Sequence, residues 1–119
     1  AIFILRRGDD VLLHRRPPKG LFGGMNAFPA TTLTQDVGPE DWLRFAPSPA
    51  RWRALNEPVT HVFTHFSLNA TVFVAKTTSR AAPEKHHWVA CANLGKEGLP
   101  ALMLKAAKQA GLGEADGEQ

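Results

Sequence analysis

The fold turns on one stretch, "HVFTHFSLNATVFVA", His61 to Ala75. Val, Thr and Phe recur through it, and these residues fit a pleated, half-buried surface. It predicts two strands folded back on each other, within "VTHVFTHF" and "SLNATVFVAK". Between them Phe63, Thr64 and His65 bring an aromatic ring, a hydroxyl and an imidazole to one turn. A plain hairpin needs fewer polar groups, so this turn is a candidate contact.

Towards the N-terminus, "AIFILRR" and "VLLHRR" are apolar runs joined by "GDD", a β-hairpin signal. "PPKGLFGGMNAFP" follows, and its proline and glycine content predicts a loop. Its Leu21, Phe22, Met25 and Phe28 require it to fold back onto the core. "ATTL" reads as a short strand. "GPEDWLRFA" starts as a helix should, with Pro39 early and Glu40 and Asp41 in the first turn. Trp42, Leu43 and Phe45 give that helix an apolar side. "RWRAL" alternates like a strand, "TTSRAAPEK" is a polar loop and "HHWVAC" is a short strand. "LPALMLKAAKQAG" is a helix with Pro100 at its first turn and Gly111 as its cap. Leu99, Leu102, Met103 and Ala106 form its inner face. The order β-β-loop-β-α-β-β-β-β-α implies an α+β domain, its mixed or antiparallel sheet flanked by helices.

Length and composition set the outer bounds. A chain of 119 residues, 44% hydrophobic and 21% charged, supports one core. No apolar run has membrane-helix length, so no membrane partner is expected. The first residues lack a signal-peptide layout, and they open directly on strand pattern without Met. The expectation is a domain cut from a longer protein. The single cysteine, Cys91, gives no internal disulfide and points to a reducing compartment.

Charge is uneven. The net value is +3, but three of the 11 acids lie in the tail "GEADGEQ". No Asp or Glu occurs from Val11 to Gln35, where Arg15, Arg16 and Lys19 stand, nor from Pro58 to Pro83. Acid-free basic stretches suit a polyanionic partner or simply form a solvated face.

Tests for self-sufficient chemistry fail one after another. His61 and His65 have strand-type neighbours and no nearby acid to complete a metal site. His86 and His87 read as exposed loop residues. Cys91 reads as a small core residue. No nucleophile elbow or Walker loop is present. The acids stand singly or in adjacent pairs, never in the clusters that hold magnesium.

Several pieces in order do resemble one family. The loop R-R-P-x-x-G-L-x-G-G-x-x-x-F-P from Arg15 to Pro29, the F-T-H turn at Phe63 to His65, and "GLPALMLKAAK" resemble the C-terminal domain of MutY, the adenine DNA glycosylase. The resemblance runs from about Ile2 to Ala110. It implies a Nudix-like fold over residues 1–112, with 113–119 a disordered tail. It also implies a partner, double-stranded DNA carrying 8-oxoguanine opposite adenine, and an N-terminal glycosylase domain of the same protein. That absent domain would hold the catalytic acids and a 4Fe-4S cluster; no cofactor is implied for the residues present. With the single cysteine, the resemblance places the protein in the bacterial cytoplasm, associated with the nucleoid.

Active Nudix hydrolases carry G-x5-E-x7-R-E-x2-E-E. Here the sixth residues after Gly23 and Gly24 are Pro29 and Ala30, and no R-E-x-x-E-E occurs. The resemblance thus implies fold and ligand preference without hydrolysis, and this chain is not expected to cleave anything alone. A divergent Nudix hydrolase of oxidised nucleotides is the alternative. By the same resemblance, Phe63, Thr64 and His65 would recognise the lesion, Thr64 standing where serine is common. Phe63 would be a buried strand aromatic or a wedge, and His65 a brace or a phosphate contact. Arg15, Arg16 and Lys19 are the candidates for the DNA backbone. Asn26 departs from the aromatic or acidic residue usual at its place.

Overall fold

The computed structural model describes residues 1–20, 22–31 and 38–112. Its centre is the pair of apolar runs read above. Strand β1 (Ile2–Arg7) and strand β2 (Asp10–Arg15) form the expected hairpin, turning at Gly8 with φ +58°. Both runs are buried on both faces, which is why they are almost continuously apolar. Ile2, Ile4, Val11 and Leu13 enter the main core, while Leu5 and Leu12 enter a smaller cluster beneath Trp52 and Trp88.

The remaining strands attach around this hairpin. They are β3 (Asn26–Ala27), β4 (Arg53–Ala54), β5 (Val59–Val62), β6 (Ser67–Ala70), β7 (Val72–Lys76) and β8 (His86–Ala90). The main sheet runs β3-β2-β1-β7-β4, with β8 on the other edge of β2. β1 and β7 are parallel, in register from Ile2↔Val72 to Arg6↔Lys76; the other pairs are antiparallel. β5 and β6 form a separate two-stranded sheet. The architecture is therefore the α+β arrangement with a mixed sheet that the sequence predicts.

One helix, α1 (Ala101–Gln109), closes the main core with Leu102, Met103, Ala106 and Ala107. Leu99 is buried beside it, as its spacing predicts. Pro100 is the N-cap, and its carbonyl accepts from Met103 and Leu104 N–H. At the other end Gly111 takes φ +84°, and its N–H donates to Lys108 O at 3.0 Å. Leu112 N–H donates to Ala107 O at 2.9 Å, which completes a Schellman motif with Leu112 buried.

Several sequence expectations need correction. "GPEDWLRFA" is a 3-10 helix over Pro39–Phe45 with no buried residue. Only Trp42 finds an aromatic partner, edge-on to Phe73 at 6.3 Å, while Leu43 and Phe45 remain half exposed. Too little apolar surface is covered to hold a longer α-helix, whose stability comes mainly from packing. "SLNATVFVAK" is two strands, because the chain changes sheets at Thr71. "RWRAL" pairs only at Arg53 and Ala54. "HHWVAC" forms the expected strand over His86–Ala90 and His87 is exposed as read, but neither histidine is a loop residue, and half-buried His86 stacks on His14 at 5.0 Å. Cys91 is buried as predicted but begins a 3-10 helix, Cys91–Lys96. In "ATTL", Ala30 bridges to Ile2, while Thr32 and Leu33 lie outside the described residues. Residues 113–119 lie outside them too.

Candidate nucleic-acid interface

The Arg15–Pro29 segment is a folded loop with a strand at its end. β3 pairs back onto β2 through His14↔Ala27 and Arg15↔Asn26, a pairing that proline and glycine content conceals. Arg16 N–H donates to Met25 O at 2.8 Å. Gly24 N–H is shared between Arg16 O and Pro17 O, at 3.2 and 3.0 Å. Gly23 lies so close to the prolines that a Cβ would stand 2.4 Å from Pro18 O. Phe22 takes φ +58°, uncommon for a residue with a side chain. Asn26 gains a definite role: its Nδ2 donates to Glu97 O at 3.1 Å, tying the loop to the segment before α1.

The second motif is the tip of the β5–β6 hairpin. Phe63 N–H donates to Phe66 O at 2.7 Å, leaving Thr64 and His65 as the turn between them. On the hairpin surface Thr60 Oγ1 donates to Asn69 Oδ1 at 2.7 Å. The helix supports the near strand, as Lys105 Nζ donates to Thr60 O at 3.2 Å. His61 and His65 do not share a strand face, because β5 ends at Val62.

Phe63 joins the two motifs. Its ring is stacked on Phe66 at 4.6 Å, meets His61 edge-on at 4.6 Å, and contacts Phe22 of the loop at 5.9 Å. It is half-buried, in an aromatic cluster beyond the strand end, and this cluster sets where the turn sits. Thr64 and His65 are exposed. Neither the hydroxyl nor the backbone N–H of Thr64 has a hydrogen-bond partner among the described residues. The imidazole of His65 has none there either, so no brace is formed by it among those residues.

Arg15 ends β2 and Lys19 rides on the loop, both exposed and without an ion pair among the described residues; Arg16 is half-buried. Next to them the pKa of His14 is held below the usual histidine value. Burial is the main cause; repulsion from His86, Arg16 and His87 adds to it, and the Phe28 backbone opposes it.

Two members of the site escape a sequence reading. Phe22, expected only to fold back onto the core, also reaches Phe63 from a backbone at φ +58°. Phe66 leaves an aromatic ring 51% exposed beside Thr64, where strand alternation alone assigns it no role. Chemically, the tip offers, among the described residues, a free acceptor and a free donor on one residue, flanked by aromatic rings. A basic loop packs behind it.

A mixed sheet with this loop and closing helix defines a class. Residues 1–109 match the NUDIX domain family, and the chain belongs to it. Among solved structures it is similar to the C-terminal domain of mouse MUTYH, crystallised in complex with human PCNA. That match has 21% identity and TM-score 0.74, covering 92% of this chain and 84% of that one. It is also similar to a MutT NUDIX hydrolase from Burkholderia pseudomallei, at 17% identity and TM-score 0.67, covering 91% and 93%. A Nudix hydrolase from M. Smegmatis, RenU, matches at 19% identity and TM-score 0.58, covering 98% and 83%. At these identities the likeness establishes the fold alone. No curated protein sequence matches the chain. Among the described residues no helix is long and apolar enough to cross a membrane.

Proposed function

We propose that this NUDIX domain reads 8-oxoguanine in duplex DNA for an adenine DNA glycosylase, whose catalytic domain lies elsewhere in the parent protein. The observation that carries the reading is the unengaged hydroxyl and N–H of Thr64 at an exposed turn. Guanine presents two acceptors, N7 and O6, in the major groove. Oxidation at C8 turns N7 into a donor and adds a carbonyl. The Thr64 hydroxyl accepts from N7–H, and its backbone N–H donates to the new carbonyl. Plain guanine meets the same site with an unsatisfied group, at a cost of about 1–3 kcal/mol. One turn then discriminates by about 10–100-fold. Arg15, Arg16 and Lys19 supply phosphate contacts that position the strand without reading it.

Two observations support this reading: the likeness to the MUTYH C-terminal domain, and the two sequence motifs that stand in the order of the resemblance to MutY. The second reading, hydrolysis of oxidised nucleotides, rests on the NUDIX hydrolases among the similar structures, which share the fold. A magnesium-dependent pyrophosphate-release assay on an 8-oxo-purine triphosphate tests it directly.

The deciding experiment titrates the isotope-labelled domain with duplexes that differ only in 8-oxoguanine or guanine opposite adenine. Amide shifts centred on Phe63–His65 and larger with the lesion are expected. Thr64→Ala should then bring the two affinities together by about tenfold. Equal shifts confined to Arg15–Lys19 for both duplexes would overturn lesion reading.

A further inference from the structure

A cavity of about 680 Å³ opens where β1, β4 and β7 meet the end of α1. None of its lining residues belongs to the Arg15–Pro29 loop or to the Phe63–His65 turn. Its volume falls in the range of small-molecule sites, about 300–1,000 Å³. Half-buried Leu55 and Val74 give it an apolar floor, backed by the buried Ile4 and Leu112. Its charged lining is entirely cationic: Arg6, Arg51, Arg53 and Lys76.

The placement of these cations is costly to the free fold. Arg6 and Lys76 are direct register partners on parallel strands, and Arg53 pairs with Val74 on the next strand. Like charges directly opposite one another destabilise a sheet. None of the four makes an ion pair among the described residues. Among the described residues Arg6 Nε is sealed from solvent with no hydrogen-bond partner, and its Nη2 reaches Gly8 O at 3.4 Å. A helix C-terminus carries partial negative charge. Here the Ala106, Ala107 and Lys108 carbonyls at that end already accept backbone N–H groups. Among the described residues the cavity thus concentrates positive charge over an apolar surface with no counter-charge.

We infer that this cavity is a second ligand site, taking an organic phosphate whose apolar body lies on the Leu55–Val74 floor and whose phosphate is held by Arg6, Arg53 and Lys76. The floor requires more than a bare anion, and the cationic side requires more than an apolar molecule. The inference is independent of lesion reading at Thr64.

The test is an NMR titration of the labelled full chain with AMP, adenosine and inorganic phosphate in parallel. AMP should shift the amides of Arg6, Arg53, Val74, Lys76 and Leu112 and bind about tenfold tighter than either half alone. Lys76→Gln and Arg53→Gln alter exposed side chains and leave the core intact. Each should weaken AMP about tenfold, the order of one charge-assisted hydrogen bond. Binding of AMP unchanged in both variants, or shifts confined to Phe63–His65, overturns the inference. So does a cavity that responds to duplex DNA but not to AMP, which would make it a backbone contact. Glu114, Asp116 and Glu118 follow Leu112 in sequence and are the anions of this chain to test as competitors. Neutralising all three in the full chain should leave the AMP response in place or strengthen it. If that change alone shifts the cavity amides and AMP shifts none in either chain, the positive charge serves the chain's own acids.

Discussion

Gly23→Ala tests whether the loop positions the lesion-reading turn. The added Cβ would stand 2.4 Å from Pro18 O, 2.8 Å from Pro18 C and 3.1 Å from Pro17 O, where 3.4 Å is an ordinary contact. All three atoms are backbone, so no side-chain rotation relieves the clash. The prolines must move by about 1 Å, and overpacking of this kind costs about 1–3 kcal/mol. The displaced carbonyl of Pro17 also accepts from Gly24 N–H, so the same movement strains the bond that closes the loop. Phe22 adjoins Gly23, and its contact with Phe63 should loosen with it. At about 4 °C per kcal/mol, the melting temperature should fall by about 4–12 °C. Amide shifts should spread from Arg16–Met25 to Phe63–Phe66. Gly20→Ala is the control: it has φ +92° but nothing within 4 Å, so only the backbone penalty of about 1 kcal/mol applies, with no shift at the turn. If Gly23→Ala melts with the wild type and leaves the Phe63–Phe66 amides unmoved, the loop does not hold the turn and the two are not coupled.

Two further outcomes are expected. His14 has a pKa lowered in the fold, chiefly by burial and then by His86, Arg16 and His87, so the unfolded chain takes up the proton first. Stability is therefore full above the unfolded histidine value, about 6.5, and is lost as pH falls below it towards the folded pKa. Urea denaturation at several pH values should show the decline, and His14→Gln should flatten it; a stability that rises on acidification through this window would contradict the packing described. Gly111→Ala places a side chain at φ +84° in the Schellman motif and should cost about 1 kcal/mol by urea denaturation. An unchanged midpoint would mean that Leu112 is not held as described.

The apolar runs "IFIL" and "VLL" determined the central hairpin by themselves, because strands covered on both faces must be apolar throughout. The inner face of α1 and its glycine stop were equally legible, since they follow from helical spacing and from one residue able to take positive φ. The turn residues Phe63, Thr64 and His65 stood out because their polarity exceeds what a hairpin requires. Only the tertiary structure decided the rest. The partner change at Thr71 leaves no mark, as strand pattern records a pleat and not a neighbour. β3 hides in a glycine-rich loop because its two residues are specified by pairing with β2. The helix expected at Pro39 shortens to a 3-10 turn, since capping residues start a helix but packing must sustain it. Phe22 against Phe63, and Arg6 beside Lys76, join residues far apart in the chain. Those meetings build both candidate sites, and sequence spacing cannot express them.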